Sequence, residues 1–326
     1  MVTLNGKNIL VTGGAGFIGS HLVDVLIDEK PNRLVVVDNF FLGDKGNLAE
    51  AFRNFPSLVL VQEDAADFEV MKAACKENLI EIVFNLAVIP LPTSLQRPKW
   101  SVDQNVLITT TLCQLATEKV FQTMIHFSSS EALGSAISVP MGEDYFLAPL
   151  TPYAASKAAC DHIVMSHCET FGIDASILRP FNNYGPRQND KSYAGIVPTV
   201  INNVIEKKPI EIYGDGEQTR DFIFVRDTAK AAIDIFKCIK TRNQITNIAS
   251  GREISINELV AFILKIMNAE NHTVCHVSPR PGDVRRHCGD ISKAKRLFGF
   301  SPNIEMNEGL RSTVEWYIHK QRGKLD

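Results

Sequence analysis

The chain has 326 residues, 45% of them hydrophobic and 22% charged, with a formal net charge of -3 and a pI near 6.3. That length and composition suit a soluble protein with a substantial core, built as one two-lobed domain or two domains. The charge balance argues against a general nucleic-acid or membrane-surface binder, and no apolar run approaches the roughly 18 residues that span a bilayer.

The first predicted element is a short buried strand, Ile9-Leu10-Val11, which stops at Thr12-Gly13-Gly14. Gly14, Gly16 and Gly19 fit G-x-G-x-x-G, and Gly13, Gly16 and Gly19 fit G-x-x-G-x-x-G. Both spacings let backbone approach a pyrophosphate where a side chain would collide. Ile18, Leu22, Val25 and Leu26 then recur at helical spacing, so the loop opens a helix whose N-terminal amides can hold an anion. Leu34 to Val37 is a second buried strand. Asp38 ends it about 20 residues past the glycines, where a carboxylate accepts from ribose hydroxyls. The same carboxylate repels a 2′-phosphate, and Asn39, Phe40 and Phe41 supply no compensating cation, so NAD is favoured over NADP.

Residues 40–56 read as a loop with one helix, and Leu58 to Val61 as a third strand. Asp64 is placed either beside an adenine or as a cap, while Asp67 caps the helix that begins near Phe68. Glu81 to Ala87 is a fourth strand whose small last residue lets a dinucleotide pass close by. The loop Pro90 to Pro98 leads to a helix carrying Asn105, Leu112 and Leu115. Val120 to Phe127 is a fifth strand that runs into Ser128-Ser129-Ser130-Glu131, and Ile173 to Leu178 is a sixth. This rhythm specifies an α/β fold with a doubly wound parallel (Rossmann) sheet.

After Asn182 the texture changes. Residues 183–222 are rich in Gly, Pro, Asn and charge, with one helix near Ile196 to Glu206. The expected division is a dinucleotide-binding domain of residues 1–180 plus 225–250, and a smaller mixed α/β substrate lobe of 181–224 plus 251–320. The last residues, 321–326, are expected to fray. The seven cysteines include no C-x-x-C pair and read as reduced thiols of a cytoplasmic protein. The N-terminus lacks the basic-then-apolar layout of a signal peptide. His272, Cys275 and His276 lack a second cluster at zinc-like spacing, so no metal is expected.

Two stretches downstream carry chemistry. Tyr153 and Lys157 lie four apart on one face of a helix that opens after Pro149 and Pro152. A lysine ammonium and a positive nicotinamide ring beside a phenol favour the phenolate, which can take a proton from an alcohol while hydride leaves the same carbon. Ser128-Ser129-Ser130-Glu131 stands at the carboxyl end of a strand, where open α/β sheets bind ligands.

With these pieces the chain resembles the nucleotide-sugar epimerase/dehydratase branch of the extended short-chain dehydrogenase/reductase superfamily. Thr12 to Gly19, Asp38-Asn39, Ser128 to Glu131, Tyr153 to Lys157 and Leu178 to Arg187 carry the resemblance. So do Gly214-Asp215-Gly216, Arg220-Asp221-Phe222 and Arg280-Pro281-Gly282-Asp283. The resemblance implies Tyr153 as base, Lys157 as its electrostatic partner and ribose ligand, and Ser129 as the hydroxyl sharing the sugar O4, with Ser130 and Glu131 beside them. It implies NAD contacts from Gly13, Gly16, Phe17, Ile18, Gly19, Asp38, Asn39, Asp64, Ala65, Leu86, Ala87 and Asn105. For a nucleotide-diphosphate sugar it implies Asn182, Val197 and Asp283, with Tyr213 near the base and Arg220 and Arg280 on the diphosphate. It also implies a homodimer through residues 101–118 and 153–171. Two positions depart from the family pattern: Leu133 where tyrosine is common, and Asn85 where many members have histidine.

Glu131 separates the reactions open to such a site. A 4-epimerase needs only that a 4-keto sugar present its other face, whereas a 4,6-dehydratase must move the C5 proton and expel the C6 hydroxyl. A carboxylate two residues past Ser129 suits that proton transfer. The reading is therefore an NAD-dependent NDP-hexose 4,6-dehydratase, with a UDP-hexose or UDP-hexuronate 4-epimerase as the alternative. UDP-glucuronate decarboxylase and a non-catalytic NAD-sensing protein stand behind these.

Overall fold

The computed structural model describes residues 2–190, 194–280 and 282–322. Strands and helices first alternate as β1 (Asn8–Thr12), α1 (Phe17–Asp28), β2 (Arg33–Val37), α2 (Ala49–Asn54), β3 (Val59–Val61), α3 (Phe68–Glu77), β4 (Ile82–Asn85), α4 (Leu91–Gln96), α5 (Pro98–Thr117), β5 (Thr123–Phe127), α6 (Pro152–Phe171) and β6 (Asp174–Pro180). Beyond them follow β7 (Asn182–Tyr184), α7 (Ile196–Ile205), β8 (Ile210–Tyr213), β9 (Thr219–Arg220), β10 (Phe222–Phe224), α8 (Val225–Lys237), β11 (Ile245–Ile248), β12 (Ile254–Ser255), α9 (Ile256–Ile266), β13 (Val274–Val277), α10 (Ser292–Phe298) and α11 (Met306–Arg322).

One seven-stranded sheet of order β11-β6-β5-β4-β1-β2-β3 forms the centre, and each of its pairings is parallel. The period-2 geometry of a strand explains its two-sided burial. In β1, Ile9 and Val11 enter the core on one face with α1 and α8, while Leu10 enters the other with α3, α5 and α6. The order reverses between β1 and β4, and both strands end at the glycine turn, where doubly wound sheets open a crevice.

The smaller lobe is built from three two-stranded pairs, β7 with β10, β8 with β13, and β9 with β12. Its separate core packs α7, α9 and α11 around Val200, Ile263, Leu310 and Tyr317. A capping box of Ser255 and Glu258 starts α9.

Two details differ from the sequence reading. Residues 291–300 fall inside the segment assigned to the smaller lobe, yet Ala294 and Phe300 join the first core and α10 packs on β11. The polar tail is helical as far as Arg322, because fully buried Tyr317 anchors it and Lys320 reaches Asp190 at 2.8 Å. The remainder of the expected frayed tail, 323–326, lies outside the described residues, as does Pro281.

Candidate active site

Between the sheet and the smaller lobe lies a cavity of about 1980 Å³. The glycine turn forms one end. Gly13 has φ +66°, and a Cβ there would stand 2.8 Å from the Ala87 nitrogen, so the chain after β4 runs directly against the turn. A Cβ on Gly19 would meet the Gly13 carbonyl at 2.1 Å, which keeps α1 seated close to β1. No side chain caps α1 at Gly16, so its first-turn amides are left for an anion. Asp38 is buried, and its two oxygens accept from the Ala15 and Phe40 amides at 2.9 Å each. Burial raises its carboxyl above the ordinary range, partly offset by those two amides. Asp64 accepts from the Ala66 amide at 2.9 Å, while Asp67 caps α3, and only Asp64 of the two lines the cavity.

The opposite wall carries the reactive groups. Thr151 caps α6 by accepting from Ala154 at 3.2 Å, and Pro152 occupies its first turn. That start places Tyr153 and Lys157 one turn apart, with the Tyr153 amide donating to Ser94 Oγ at 3.1 Å. Ser129 begins a 3₁₀ turn of Ser130–Leu133 and accepts from the Glu131 amide at 3.2 Å. The Ser129 hydroxyl also lies beside the Tyr153 phenol, where it favours the ionised form. Behind them Asp161 accepts from Ser128 Oγ and from Arg179 Nη2, both at 2.8 Å. The Asp161 and Arg179 side chains are 2% and 1% exposed, so this pair locks the serine turn to α6 from inside the core.

The Lys157 ammonium donates to the Phe127 carbonyl, and burial pulls its own pKa down. Burial pushes Tyr153 up to about 12, helped by Glu131, Cys160 and Asp161, with Ser129 pulling the other way. Protein residues alone therefore hold the phenol protonated. Glu131 is also raised, first by burial and then by Asp283, against the pull of Arg220.

At the far end Arg280 stacks 3.8 Å above the Tyr213 ring. Arg220 donates to the Thr219 and Val284 carbonyls at 2.8 and 2.7 Å and pairs with Asp283. Asn182 and Val197 line the space between.

All the expected site residues but one line this single cavity. The exception is Asn105. Its side chain is spent on the Ile89 amide (2.7 Å), the Ile89 carbonyl (3.1 Å) and Ser156 Oγ (2.9 Å), so it anchors the loop after β4 rather than facing the cavity. His287, not singled out from the sequence, lies under the serine turn with Nε2 at 3.1 Å from the Ser130 carbonyl. Burial holds it down to about 4, so it is a neutral support. Among the described residues no group of three or more His, Cys, Asp or Glu side chains is arranged to hold a metal, and no helix is long and apolar enough to cross a membrane.

The donor set fits a dinucleotide: free helix-terminal amides for a pyrophosphate, Asp38 for a ribose, and an Ala87 backbone pressed close to the turn. Comparison with known proteins agrees with that fit. The family model for GDP-mannose 4,6-dehydratase matches residues 10–313. The dTDP-glucose 4,6-dehydratase of Streptomyces griseus is 32% identical over 322 residues, covering 97% of this chain and 95% of that one. The UDP-N-acetylglucosamine 4-epimerase from Methanobrevibacter ruminantium, solved with UDP-N-acetylmuramic acid, is 34% identical with a TM-score of 0.89, covering 97% of this chain and 99% of that one. The dTDP-glucose 4,6-dehydratase of Streptomyces venezuelae, solved with NAD, is 30% identical with a TM-score of 0.91 and covers 98% of both chains.

Proposed function

The chain belongs to the GDP-mannose 4,6-dehydratase family of extended short-chain dehydrogenases/reductases, and we propose that within this class of NAD-dependent nucleotide-sugar enzymes it is an NDP-hexose 4,6-dehydratase. The observation that carries the reading is Glu131, a carboxyl raised by burial, on the turn that also presents Ser129 to Tyr153. NAD, held by the glycine turn and Asp38, would supply a hydride acceptor for C4 and a hydride donor for C6, the second transfer being matched by a solvent-derived proton at C5. Ser129 donates to the sugar O4, and Tyr153 takes its proton. Glu131 takes the C5 proton, acidified by the new ketone, and delivers it to the departing C6 hydroxyl, so one water leaves as the C5–C6 double bond forms. A carboxyl biased toward its protonated form suits the second half of that transfer, and such assistance contributes roughly 10²–10⁴-fold. Arg220 and Arg280 grip the diphosphate, Tyr213 lies near the base, and Asn182 and Val197 line the path between. We also propose a cytoplasmic homodimer joined through the outward faces of α5 and α6, where Leu107 is exposed.

A panel of nucleotide sugars incubated in D₂O tests the reaction. The product should be lighter by one water and carry deuterium at C5, and Glu131→Gln should abolish the loss of water. The second reading, a 4-epimerase, is favoured by the 34% identity to the archaeal epimerase. A product with the substrate's mass and no deuterium decides for it.

A further inference from the structure

The loop after β2 and the start of α5 meet across the dinucleotide half of the cavity. Asp38 ends β2, and three residues later Phe41 contacts Trp100, with ring centres 5.5 Å apart at 57°. Arg97 places its guanidinium 4.1 Å from the centre of the Trp100 ring, which orders the indole. Both aromatic residues line the cavity, and Phe41 is 41% exposed, an unusual cost for a phenylalanine with no core to fill. The loop is tied down on its inner side, where the Asp44 amide and the Asn47 side chain donate to the Ala15 carbonyl at 3.1 and 2.9 Å. It therefore reaches from the glycine turn, past Asp38, to a helix on the other side of the crevice.

We propose that Phe41 and Trp100 form a clasp over the cofactor and that opening this pair sets the rate at which NAD leaves. The proposal rests on the reading that the glycine turn and Asp38 hold NAD. A dinucleotide with its ribose at Asp38 and its pyrophosphate on α1 lies between two elements that the clasp joins, so it leaves only when the rings part. The pair contributes nothing to the reacting atoms. Its role is retention, which matters in a cycle that both removes and returns a hydride on the same cofactor.

Release is measured on protein loaded with NAD by trapping the freed cofactor with excess alcohol dehydrogenase and ethanol, a readout independent of this chain's own activity. Phe41→Ala and Trp100→Ala should each release NAD about 2- to 10-fold faster, the range an aromatic pair supports. The double variant should release it no more than marginally faster than the quicker single one, because either truncation removes the same contact. Trp100→Phe should restore slow release. Melting of the cofactor-free variants at the wild-type temperature shows that the change is not general loosening. Release at the wild-type rate from all three alanine variants overturns the clasp alone, and additive acceleration in the double variant does so too. A wild-type protein that binds no NAD overturns the cofactor reading and the clasp with it.

Discussion

His21 offers the most quantitative test of how the two lobes are joined. It lies on α1, the helix that follows the glycine turn, and is 5% exposed. Its Nε2 lies 2.9 Å from the Pro186 carbonyl, and because a carbonyl only accepts, Nε2 carries the proton. Burial, with Arg187 and Arg226 nearby, holds the imidazole down to about 3 against an ordinary 6.5. A folded value below the unfolded one means that stability is complete above pH 6.5 and is lost as pH falls from there toward 3. At pH 5 the unfolded chain has bound a proton that the native state refuses. At about 1.36 kcal/mol per unit over the interval from 6.5, that costs about 2 kcal/mol. His21→Gln keeps a donor for Pro186 and removes the titration. Urea unfolding of both proteins at pH 7 and pH 5 should show the variant gaining about 2 kcal/mol relative to wild type on acidification. Other buried groups, His126 and His287 among them, cancel in the difference. Parallel pH dependences for the two proteins would refute the reasoning.

Three further outcomes follow from the site. Tyr153→Phe should lower turnover roughly 10²–10⁴-fold while NAD titrations remain like wild type, since the phenol serves proton transfer; unchanged turnover removes Tyr153 from the reaction. Arg280→Ala should weaken binding of a nucleoside diphosphate about 10- to 100-fold by calorimetry, the worth of a lost charge-assisted contact, and equal affinity removes Arg280 from the diphosphate site. Arg179→Met should cost about 3–5 kcal/mol in urea unfolding, because it leaves Asp161 buried with only Ser128 as partner. A loss below about 1 kcal/mol would mean that the pair does not lock the turn to α6.

The nucleotide-binding half was legible because its signals are local. A strand, a glycine turn, a helix and Asp38 follow one another within about 30 residues, and each sets the geometry of the next. Tyr153 and Lys157 were legible for the same reason, being one helical turn apart. What was hidden depends on contacts across sequence. The Ser130 carbonyl meets His287 at a separation of 157 residues, and no periodicity links them. The partners of Asn105, Ile89 and Ser156, likewise emerge only on folding. The sequence shows the lysine beside the tyrosine but not the Phe127 carbonyl that accepts from its ammonium. The clasp was invisible for a similar reason, since Phe41 was noted only as lacking charge and Trp100 not at all.

The chain's path has an evolutionary corollary. It leaves the central sheet after β6, returns at α8, leaves again after β11, comes back with α10, and departs once more in α11. The residues that would meet a nucleotide are divided between two excursions of that path, Tyr213 and Arg220 on the first and Arg280 on the second. No single stretch of coding sequence therefore encodes the specificity lobe, and recombination cannot exchange it as a module. New substrates must be reached by point substitution within an intact full-length chain.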